Sequence, residues 1–171
     1  EEPLVEGESL FNGLLSVVNR AGWCIADLVA WYRPLMSALQ SAAHGPCVPP
    51  DHLDATPFNF LIDAEGRGRL IDLEWVDGAG VPLERVVFRG FYHSLTRVGC
   101  VAAPRGDVPA DIAEISARAT SELLNSPCDL QALLDAEAML QKSVTVFQPQ
   151  PQDFRTPLRV RGQMPHPAAA A

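Results

Sequence analysis

The chain reads His52-Leu53-Asp54-Ala55-Thr56-Pro57-Phe58-Asn59-Phe60-Leu61-Ile62-Asp63, passes through a polar turn, and resumes as Leu70-Ile71-Asp72-Leu73-Glu74-Trp75. Asn59 follows Asp54 by five residues, and Asp72 follows Asn59 by thirteen. That order and spacing suit phosphoryl transfer from a metal-bound nucleotide. One carboxylate orients an acceptor hydroxyl, and an amide and a second carboxylate hold a magnesium ion.

Short apolar runs over Phe58–Ile62 and Arg69–Leu73 read as β-strands. The linker Asp63-Ala64-Glu65-Gly66-Arg67-Gly68 between them has hairpin chemistry. Such a hairpin brings Asn59 and Asp72 close enough to share a metal. Asp72 is expected to end an apolar strand. An unpaired carboxylate there would cost several kcal/mol unless a cation or a donor compensated it.

The segment resembles the catalytic loop and metal-binding strand of the protein-kinase-like fold, in its aminoglycoside phosphotransferase and choline kinase branch. There the pattern is His-x-Asp-x-x-Pro-x-Asn, a short hairpin, then Ile-Asp-Phe-Glu with an aromatic residue. Here the matching residues are His52, Asp54, Pro57 and Asn59, then Ile71-Asp72-Leu73-Glu74-Trp75. The wording Pro-Phe-Asn and Asp-Leu-Glu-Trp is also similar to kinase modules fused to methyltransferases in bacterial polysaccharide chain termination. The resemblance implies an α+β, mainly helical fold: the C-terminal, large lobe of a kinase-like protein, with a β-hairpin carrying the metal site.

It also implies roles. Asp54 is the candidate catalytic base, accepting the proton of the acceptor hydroxyl as its oxygen attacks phosphorus. Asn59 and Asp72 are the candidate magnesium and nucleotide ligands. Glu74 either reaches a second metal or pairs with Arg69 or Arg85. His52 braces the loop and Trp75 packs in the core, while His44 and His93 read as structural. The implied cofactors are Mg2+ and ATP or another nucleoside triphosphate, and the implied acceptor is a hydroxyl-bearing small molecule or glycan.

The chain departs from that family at its front. Residues 1–53 contain no Gly-rich phosphate loop and no lysine; the single lysine is Lys142. A kinase small lobe needs both, so the expectation is a large-lobe unit from a longer polypeptide, nearly inactive alone. The alternative function is a catalytically inactive kinase-like module that binds or scaffolds a partner within a larger transferase. An intact Asp54, Asn59 and Asp72 set favours the first reading; the missing small-lobe elements favour the second.

Working outward, residues 8–20 and 25–43 pattern as helices, with Pro34 expected to kink or split the second. Leu83–Phe88 reads as a strand and Arg89–Arg97 as a helix. Residues 101–109 form a loop. Two more helices carry Ile112, Ile115, Ala119 and Leu123, then Leu130, Leu133 or Leu134, and Ala138, the latter capped by Asp129. Residues 1–147 form one domain, and the Pro-, Gln- and Ala-rich residues 148–171 a tail or linker.

Composition narrows the partners. The net charge of −8 argues against a nucleic-acid-binding surface. No apolar run approaches the roughly 18 residues of a membrane span, and no basic-then-apolar leader opens the chain. Four scattered cysteines, Cys24, Cys47, Cys100 and Cys128, read as reduced thiols, which together points to the cytoplasm.

Overall fold

The computed structural model describes residues 6–73, 78, 80–146 and 148–162. It is an α+β fold built mainly of helices. Helices α1 (Leu10–Val18) and α2 (Ile25–Ala42) come first. A central helix α3 (Leu83–Thr96) and the pair α4 (Ile112–Leu124) and α5 (Leu130–Val144) follow the motif. Strands β1 (Glu8–Ser9), β3 (Phe60–Ile62) and β4 (Gly68–Leu70) make an antiparallel sheet in the order β1-β3-β4. Strands β2 (Cys47–Val48) and β5 (Val81–Pro82) make a second, two-stranded one. Ahead of Asp54, the described residues therefore supply two helices and two short strands, with no five-stranded sheet.

Local chemistry explains the helix ends. Ser9 caps α1 by accepting from the Phe11 amide at 3.3 Å, and Leu10, Leu14 and Val18 bury one face. Asp27 accepts from the Cys24 amide at 2.9 Å and pairs with Arg20 at 2.8 Å, holding the start of α2. Asp111 and Asp129 cap α4 and α5, and Asn125 closes α4 in a left-handed conformation.

Helix α2 is not split at Pro34: it runs unbroken through it. The proline costs about 3 kcal/mol in a helix interior. Eight buried side chains flank it, Ile25, Leu28, Val29 and Trp31 before and Tyr32, Leu35, Met36 and Leu39 around and after. Each contributes roughly 1.5–3 kcal/mol by burial, so packing outweighs the local defect.

The expected strand over Leu83–Phe88 is instead the first half of α3; only Val81–Pro82 is extended. Val86, Val87, Phe88, Phe91, Tyr92 and Leu95 are all buried. The consecutive Val86, Val87 and Phe88 imitate a strand when the segment is read only as far as Phe88; the helical period shows only over the whole of Leu83–Thr96.

Gly90 on α3 faces the Tyr32 side chain of α2. A Cβ there would lie 2.1 Å from the Tyr32 hydroxyl, which is buried and has no hydrogen-bond partner among the described residues. Gly90→Ala is expected to destabilise the fold by about 1–3 kcal/mol through overpacking. Tyr32→Phe removes an unpaired buried group, so its stability should stay within about 1 kcal/mol of the parent or exceed it. Urea unfolding measures both. A large loss in Tyr32→Phe would mean that the hydroxyl has a partner.

The described part of the segment read as a tail runs back over the helices. The Ile112 amide donates to the Thr156 carbonyl at 2.8 Å, Leu158 to Ala110 at 2.7 Å, and Arg161 to Val101 at 2.7 Å. The Tyr92 hydroxyl donates to the Phe154 carbonyl at 3.0 Å. Among the described residues no helix is long and apolar enough to cross a membrane. The four cysteines are free thiols.

Candidate functional site

Two short 3-10 turns carry the motif, Pro50–Asp54 and Pro57–Asn59. Each begins with a proline, whose missing N–H is not needed at that position. The second turn is tied to α1, because the Ser9 hydroxyl donates to the Pro57 carbonyl at 2.9 Å. Phe58 packs on Phe11, with ring centroids 4.3 Å apart.

These turns place Asn59 against Asp54. The Asn59 Nδ2 donates to both the Asp54 carbonyl and its carboxylate Oδ2, each at 3.0 Å. Both bonds use the amide nitrogen, so Oδ1 remains for another donor or a cation. The Asp54 side chain is 34% exposed, leaving its carboxylate reachable from outside. It borders a cavity of about 200 Å3 lined by Asp54, Thr56, Phe58, Asn59, Arg89, His93 and Arg97.

Behind Asp54 stands a buried ionic cluster that the sequence reading did not identify. Arg89 on α3 is only 6% exposed. Its Nε donates to the Leu53 carbonyl at 3.2 Å, one terminal nitrogen lies 3.5 Å from Asp54 Oδ1, and the other bonds Glu137 on α5. Glu137 is 2% exposed and also accepts from Gln141 at 3.1 Å and contacts His93 Nε2 at 3.2 Å. Burial pushes the Glu137 carboxyl up, but the His93 hydrogen bond and the Arg89 charge, with further help from Gln141, bring it down to about 2.

One signal for this cluster was present. Arg85, Arg89, His93 and Arg97 recur every four residues, which places them on one helical face. Dividing the segment into a strand and a helix at Phe88 hides that ladder. Glu137 lies 48 residues from Arg89, and nothing local announces it.

Asp72 differs from its expected setting. Strand β4 ends at Leu70, and Asp72 is exposed with a left-handed φ of +53°. Water solvates the carboxylate, so the burial cost that pointed to a compensating cation does not arise. The hairpin still brings it near the turn: the Ile71 amide donates to the Asn59 carbonyl at 2.8 Å, one residue before Asp72. Asp72 does not line the cavity that Asp54 and Asn59 share. Glu74 and Trp75 lie outside the described residues.

His52 contacts Asp51 through Nδ1 at 2.7 Å and does not reach the cavity. His93, read as structural, both braces Glu137 and lines the cavity. Among the described residues no three His, Cys, Asp or Glu side chains cluster as a metal site. Of the two residues expected to hold magnesium, Asn59 keeps its Oδ1 free of the bonds to Asp54, and Asp72 keeps an exposed carboxylate outside the cavity. No family model, curated protein or solved structure matches the chain.

Proposed function

We propose that the chain is the large lobe of a kinase-like phosphotransferase, which moves the terminal phosphoryl group of a nucleoside triphosphate to a hydroxyl of a small molecule or glycan. The observation that carries this reading is the Asp54–Asn59 pair beside a polar cavity: the Asn59 amide donates one hydrogen bond to the reachable Asp54 carboxylate and a second to the Asp54 backbone carbonyl.

In this reading Asp54 orients the acceptor hydroxyl. The hydroxyl oxygen forms a bond to the terminal phosphorus as the bridging P–O bond breaks and the nucleoside diphosphate leaves. The hydroxyl proton passes to Asp54 and then to water. Asn59 has two tasks: its nitrogen holds Asp54, and its oxygen would help hold the cation. Asp72, on the hairpin, would supply that cation's charge-bearing ligand. Bound magnesium would neutralise charge on the phosphates. Arg89 holds the loop from behind through the Leu53 carbonyl and the Asp54 carboxylate.

The second reading, an inactive binding or scaffolding module, is favoured by residues 1–53, which hold helices α1 and α2 and no lysine.

Magnesium titrations of nucleotide binding test the division of labour. Asp72→Ala is expected to raise the Mg2+ requirement more than Asn59→Ala, since a carboxylate supplies charge and an amide only a dipole. Asn59→Ala should instead act mainly on turnover, because it frees Asp54. Equal or reversed metal sensitivity would remove Asp72 from the primary ligand role. A protein that binds no magnesium nucleotide would leave the scaffolding reading in place.

A further inference from the structure

We infer that the cavity beside Asp54 is a phosphate site whose counter-charge is Arg97, supplied by the C-terminal end of α3. The inference rests on the phosphotransfer reading and extends it by placing a cation at the cavity, where residues 1–53 hold no lysine.

The charges around the cavity are not evenly paired. Arg89 is matched by Glu137 and Asp54. Glu137 also engages His93. Arg97 is different: among the described residues no carboxylate lies within ion-pair distance of it, although the chain as a whole carries a net charge of −8. Its guanidinium lies 3.8 Å from the centroid of the Phe58 ring, and Phe58 rests in turn on Phe11. A guanidinium held over a ring at this distance is positioned by the contact, and its N–H groups are donors suited to phosphate oxygens. Part of the ordering cost of binding is thereby met before the anion arrives.

The remaining lining fits the same ligand. The Thr56 side chain borders the cavity, and none of its hydrogen bonds to other described residues engages the hydroxyl. The space of about 200 Å3 holds several waters or one phosphate group. Asp54 opposes an anion; Arg89, 3.5 Å from its Oδ1, is shared with Glu137 and offsets that charge only in part, so Arg97 supplies the cation an anion needs here. A phosphate in the cavity therefore sits between the candidate base and Arg97. It belongs either to the nucleotide or to a phosphorylated acceptor, and the chemistry of capture is common to both.

Calorimetric titration of the chain with inorganic phosphate is the first test. Binding should weaken with added salt and fall about tenfold or more in Arg97→Gln, the loss typical of a charge-assisted hydrogen bond. Arg97→Lys should recover part of it, because the charge returns without the planar fork. Arg97 is exposed and follows the last turn of α3, so circular dichroism should show both variants folded. Two further titrations locate the source. Loss of affinity for a magnesium nucleotide assigns the phosphate to the donor, and loss for a hexose phosphate with unchanged nucleotide binding assigns it to the acceptor. Phosphate affinity equal in Arg97→Gln and the parent, or no phosphate binding at all, would overturn the inference. Phosphate binding that depends on Arg97 in a protein without phosphotransfer would instead overturn the proposed function and leave this site standing.

Discussion

Arg89→Ala is expected to destabilise the fold by about 3–5 kcal/mol, the usual result of removing one partner from a buried ion pair. Glu137, 2% exposed, would keep only His93 and Gln141, and the Leu53 carbonyl would lose its donor. Acid should expose the same interaction. The folded-state carboxyl of Glu137 lies at about 2, below its ordinary 4.5. A depressed carboxylate contributes stability that is full above about pH 4.5 and is lost as pH falls towards about 2. That difference corresponds to roughly 3 kcal/mol, in line with the mutational expectation. Urea unfolding at neutral pH and near pH 3 should therefore show a gap between parent and Arg89→Ala that narrows in acid. A loss under about 1 kcal/mol at neutral pH would mean that the cluster is not coupled to folding. Replacing both partners, Arg89→Met with Glu137→Leu, should recover much of the stability, since two apolar groups leave no stranded charge. It should not recover turnover, because Asp54 and the Leu53 carbonyl would still lack the guanidinium that holds them.

Asp54→Asn should lower phosphoryl transfer by the whole protein about 10²-fold or more while nucleotide binding stays nearly intact. General-base assistance is typically worth roughly 10²–10⁴-fold. The substitution preserves size and the Asn59 bond to the residue-54 carbonyl, so the turn should persist. What it removes is the acceptor for the hydroxyl proton. Single-turnover kinetics with saturating nucleotide separates this from a binding defect. Turnover within about twofold of the parent would show that Asp54 is not the base, and the Asp54–Asn59 pair would then be a purely structural turn.

The helix faces, the cap at Asp129 and the hairpin turn were legible in the sequence; the Asp111 cap and the Asp54–Asn59 contact were not read from it, although they too are set within a few residues. All of these are local. Caps and turns are set within a few residues, and a five-residue separation through two proline-led turns leaves little freedom for where Asn59 points. Where burial from distant segments competes with local preference, the tertiary structure decided. It carried α2 through Pro34 and made Leu83–Phe88 helical, because apolar contacts across the core outweigh a lost N–H and a short β-branched run. It also assembled the chemistry around the motif. Arg89 meets Glu137 across 48 residues, and Arg97 meets Phe58 only once α3 lies beside the turn. Asp72 shows the converse, since its burial was inferred from an apolar run that the chain leaves at Leu70, exposing the carboxylate to water. Spacing in a sequence fixes which groups can be neighbours along the chain. Which charges share a low-dielectric interior depends on helix packing, and that is decided by the whole core at once.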